Sequence, residues 1–132
     1  MRGFAQAAVL AAVMLGSPPG LAQDATESLR AKAAQGDYEA QRDLASCLGE
    51  EPSECRSQPA PDPVQACKWR MVIVTSEHPS VSDVDVEAYR RDCGYQTISQ
   101  LEQAAALTEA QRLFVEIYKR DMPVKLLLPI GR

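Results

Sequence analysis

Histidine is almost missing from this chain: His78 is the only one in 132 residues. Any Cys-His or Ser-His-Asp mechanism would have to run through it. It stands before Pro79 in the short polar stretch SEHPS and reads as an exposed loop residue. A concentrated basic run is also lacking. Arg90-Arg91 and Lys119-Arg120 each sit beside acids, and the chain carries 14 Lys and Arg against 18 Asp and Glu, a net charge of −4. Nucleic acid is normally held on a dense basic face, so it is set aside as a partner. Strand-like alternation is nearly absent as well; the β-branched cluster at Met71 to Val74 lies inside a longer helical pattern.

Cofactor and metal signatures are missing too. A C-x-x-C pair does not occur, and the intervals between Cys47, Cys55, Cys67 and Cys93 are wider than the spacing of structural zinc sites. Asp83-Val84-Asp85-Val86-Glu87 starts like a calcium loop, but Ala88 and Gly94 stand where an EF-hand needs glycine and glutamate. The better reading is a helix capped by Ser82, with acids in its first turn facing the positive end of the dipole. No catalytic, cofactor-binding or metal residue is therefore assigned. Trp69, the sole tryptophan, is flanked by helical apolar positions and is expected in the core.

No apolar run reaches the roughly 20 residues a bilayer requires. The longest, Phe4 to Leu15, follows Arg2 and precedes Ser17-Pro18-Pro19 and Gly20-Leu21-Ala22. This is the order of a secretory signal peptide, with small residues at the two positions a signal peptidase reads. The expected division is a signal peptide at 1–22, an α-helical domain at 23–123 and an apolar tail at 124–132, with no stable membrane insertion after cleavage. Such a chain is destined for the periplasm or the cell exterior, where four cysteines in a small domain indicate disulfides.

Helical periodicity fills the remainder. Leu29, Ala33 and Ala34 form the apolar side of a first helix over about Thr26 to Gln35, ended by Gly36-Asp37. Asp37 caps the next, in which Ala40, Leu44, Cys47 and Leu48 share a face and Gly49 stops the run. After a polar, proline-bearing loop, Asp62-Pro63 is a helix start, and Val64, Cys67, Met71 and Val74 form one stripe with Ala66, Trp69 and Ile73 beside it. So wide an apolar band marks a central helix. A shorter helix covers Ser82 to Cys93. Ser99 with Glu102 is a capping box opening a long helix to about Arg120, and Thr108 with Gln111, as a second capping box, suggests that it bends or divides there. The tail VKLLLPIGR has no helical character; its apolar residues either fold back onto the helices or form an exposed contact patch. The expected fold is all-α: a compact, disulfide-stapled domain of four or five helices. Its core is expected to include Leu44, Leu48, Ala66, Trp69, Met71, Ile73, Tyr89, Phe114 and Ile117.

Two segments resemble each other: Ala40-Gln41-Arg42 and Ala110-Gln111-Arg112 each open a helical stretch, with Leu44 and Phe114 two places on. With Ala33-Ala34-Gln35-Gly36-Asp37 as a turn, and Asp62, Ala66 and Trp69 as the D, A and W positions of a second helix, the spacing resembles Sel1-like repeats, relatives of the tetratricopeptide family. Ala45, Leu48, Arg70 and Ile73-Val74 depart from that pattern. The resemblance implies a right-handed α–α hairpin that presents a surface to a protein or peptide without catalysis. The alternative is a small secreted enzyme or enzyme inhibitor using exposed carboxylates.

Of the three possible cysteine pairings, Cys47–Cys55 with Cys67–Cys93 is expected. Gly49 and Pro52 favour a reversal that returns Cys55 to Cys47, while Cys67 and Cys93 lie on the apolar stripes of two helices. Cys47–Cys67 with Cys55–Cys93 would instead tie the hairpin's own two helices together.

Overall fold

A computed structural model describes residues 20–49, 60–127 and 129. Among them are five α-helices and no strand: α1 (Gly20–Ala34), α2 (Tyr38–Leu48), α3 (Pro63–Thr75), α4 (Asp83–Asp92) and α5 (Gln100–Tyr118), followed by a short 3₁₀ turn at Val124–Leu126. The domain is all-helical and stapled by the Cys67–Cys93 disulfide, whose Cα atoms are 4.9 Å apart.

The helix ends follow local chemistry. Gly36, at φ 89°, closes α1: its N–H reaches the Ala33 carbonyl at 3.1 Å, and that of Asp37 reaches Lys32 at 3.2 Å. The Asp37 side chain then accepts from the Ala40 N–H at 2.9 Å and starts α2. Asp62 does the same for α3 through Gln65 at 3.2 Å, with Pro63 in the first turn, where no N–H is missed. The Asp62 N–H also donates to the Leu48 carbonyl at 2.8 Å, tying the start of α3 to the end of α2. Ser99 and Glu102 bond reciprocally, at 3.1 Å each way, to open α5.

Three boundaries differ from the sequence reading. α1 begins at Gly20 instead of near Thr26 and runs through Ala22, because no proline lies within Gly20–Ala34 and Leu21 to Gln23 are competent helix formers. α5 does not divide at Thr108: that hydroxyl donates back to the Ala104 carbonyl at 3.1 Å, so it serves the continuing helix instead of capping a new one. The tail includes one 3₁₀ turn, with Leu127 packed on the core and Val124 and Leu126 exposed.

α3 is the centre of the domain. α2, α4, α5 and the 3₁₀ turn all pack against it, and α1 packs on α2. It buries Ala66, Cys67, Trp69, Met71, Val72 and Ile73 around most of its circumference, as a helix enclosed by neighbours must. α5 contributes a single stripe, Ala106, Ala110 and Phe114, with Phe114 fully buried. Of the expected core residues only Ile117 is not buried: it sits half-exposed at the α5 edge, its methyl group 3.4 Å from where a Cβ on Gly36 would stand. One buried polar group knits three helices. Gln41 Nε2 donates to the Ala33 carbonyl at the end of α1 and to the Tyr118 hydroxyl at the end of α5, each at 3.1 Å.

A charged groove between α2 and α4

The side chains that stand out by burial are charged. Asp85 in α4 is 1 % exposed and Asp92, at the other end of the same helix, is 6 % exposed; Arg70 of α3 is 4 % exposed. Isolated charges are too costly to bury, so each must be paired or hydrogen-bonded. Asp85 Oδ2 accepts from the Tyr38 hydroxyl at 2.5 Å and from the Ser82 N–H at 3.1 Å. Its Oδ1 lies 3.1 Å from Arg42 Nε, yet no donor is aligned on it among the described residues. Asp92 is clamped from both sides: Arg70 Nε stands 2.8 Å from Oδ2 and Arg91 Nε 3.0 Å from Oδ1. Arg70 also reaches Ser46 Oγ at 3.2 Å, which joins this pair to α2.

These contacts set the helix directions. The start of α2 meets the first turn of α4 through Tyr38 and Asp85, and the last turn of α2 meets the end of α4 through Ser46, Arg70 and Asp92. α2 and α4 therefore run the same way over α3. The space between them is a groove of about 620 Å³, with Arg42, Asp43 and Ser46 on the α2 wall, Asp83, Glu87 and Arg91 among those on the α4 wall, and Arg70 below. Val84, on the α4 rim, is 63 % exposed.

Beside the groove, Tyr38 lies under the His78 ring, stacked at 4.8 Å with planes 2° apart, and the Arg42 guanidinium is 5.5 Å from the Tyr38 ring centre. The Tyr38 hydroxyl is pushed up to about 12 by burial first, and then by its hydrogen bond to Asp85, which its ionised form would repel. His78 itself is exposed, and its Nδ1 accepts from the Ser80 N–H at 3.1 Å.

The residues singled out in the sequence fall into place as follows. Cys67 and Cys93 are bridged between α3 and the end of α4. Cys47 is disulfide-bonded, and Cys55 lies outside the described residues. Trp69 is 4 % exposed in the core, with Lys68 Nζ 5.2 Å from its ring centre, and its Nε1 has no hydrogen-bond partner among the described residues. Burial lowers the Lys68 ammonium below its ordinary range, opposed by the nearby Glu109 charge. Among the described residues no three His, Cys, Asp or Glu side chains gather as a metal would require, and no helix is long and apolar enough to cross a membrane.

From sequence Asp85 was read only as an acid in the first turn of its helix and Arg70 only as a departure from a repeat pattern, and Asp92 was not singled out. For Asp85 the signal was available: it stands three residues after Ser82, in the position that returns a carboxylate to the cap N–H. For Arg70 the signal was its departure from the Sel1-like pattern, a guanidinium where that pattern has tyrosine. No protein-family model, curated protein or solved structure matches the chain.

Proposed function

We propose that the protein is an exported, non-catalytic binding module, a degenerate Sel1-like helical hairpin that meets a protein or peptide along the α2–α4 groove. The observation that carries this reading is the engagement of the buried carboxylates in and beneath the groove. Asp85 and Asp92 hold helices together through Tyr38, Arg42, Arg70 and Arg91, which is the work of anchors and not of a proton-transferring pair. An open, preformed channel between parallel helices is also the kind of surface on which helical-repeat proteins receive extended segments. Export is supported by the N-terminal order of Arg2, apolar run, prolines and Gly20-Leu21-Ala22, and by the Cys67–Cys93 bridge, a bond at home in oxidising compartments.

The test is site-specific photo-cross-linking in the producing cell. A photoreactive residue replaces Val84 on the groove rim or, separately, Glu116 on the exposed side of α5. Adducts with one defined polypeptide from position 84 and none from position 116 support the reading. Adducts from position 116 alone would move the contact surface off the groove.

A further inference from the structure

No further inference is drawn: the strongest candidate, the half-buried Lys68 amine over the Trp69 ring where α3 meets α5 through Gln65 and Glu109, is set apart only by the lowering of its ammonium on burial, while its hydrogen bond to Gln65 and the nearby Glu109 charge favour that same ammonium.

Discussion

Arg70 and Asp92 meet at 2.8 Å, 22 residues apart in sequence, with both side chains below one-tenth exposed. The pair fixes α4 on α3 and, through Ser46, fixes α2 as well. Its desolvation is costly, so its value shows when one partner is removed and the other is left buried and unpaired. Asp92→Ala should therefore lower the unfolding free energy by about 3 kcal/mol, whereas Arg70→Met/Asp92→Leu should recover most of that loss. Urea denaturation followed by circular dichroism measures both variants.

Tyr38 links stability to alkaline pH. Its hydroxyl is raised to about 12 in the fold from 10.0 in the unfolded chain, by burial and then by Asp85. A group whose folded value is raised contributes fully below its unfolded value and loses that contribution as pH rises through the folded one. The stability attached to Tyr38 should thus be intact below pH 10 and decline between about 10 and 12. Tyr38→Phe should lose that part of the decline, and phenolate absorbance should lose its late-titrating phase.

The Cys67–Cys93 bridge closes a separation of 26 residues. Loop-closure entropy of that length corresponds to about 3 kcal/mol, so Cys67→Ala/Cys93→Ala should lower the unfolding free energy by that amount. Peptide mapping of the unreduced protein should recover a linked 67–93 fragment.

Lys119 ends α5 in the left-handed region, at φ 58°, a conformation that costs a residue with a Cβ about 1 kcal/mol and glycine almost nothing. Its N–H bonds to Val115 in that geometry at 2.9 Å, which glycine retains. Lys119→Gly should therefore raise stability by about 0.5–1 kcal/mol, read as a higher thermal midpoint.

What the sequence disclosed and what it hid divide along physical lines. Asp37, Asp62-Pro63 and Ser99 with Glu102 act on their own helix ends within three residues, so short-range patterns found them. Periodicity likewise identified α3 as central and buried, because its apolar band is written into consecutive turns. The groove was not legible. Arg70 finds Asp92 across 22 residues, and Tyr38 finds Asp85 across 47. No periodicity distinguishes a charge that will be buried and paired from one that faces water. Apolarity even pointed the wrong way on α4, where Val84 is exposed and its neighbour Asp85 is buried. The start of α1 was misplaced because Gly20-Leu21-Ala22 was assigned to the end of a signal peptide, although glycine in the first turn of a helix costs little.

The central claim, that the α2–α4 groove is the contact surface, is tested most directly by amide chemical-shift mapping of the ¹⁵N-labelled protein titrated with the polypeptide cross-linked from position 84. The shifts should concentrate at Asp43, Ser46, Asp83, Val84 and Glu87, which line the groove. Shifts concentrated on α1 or the exposed side of α5, with the groove amides unmoved, would contradict it.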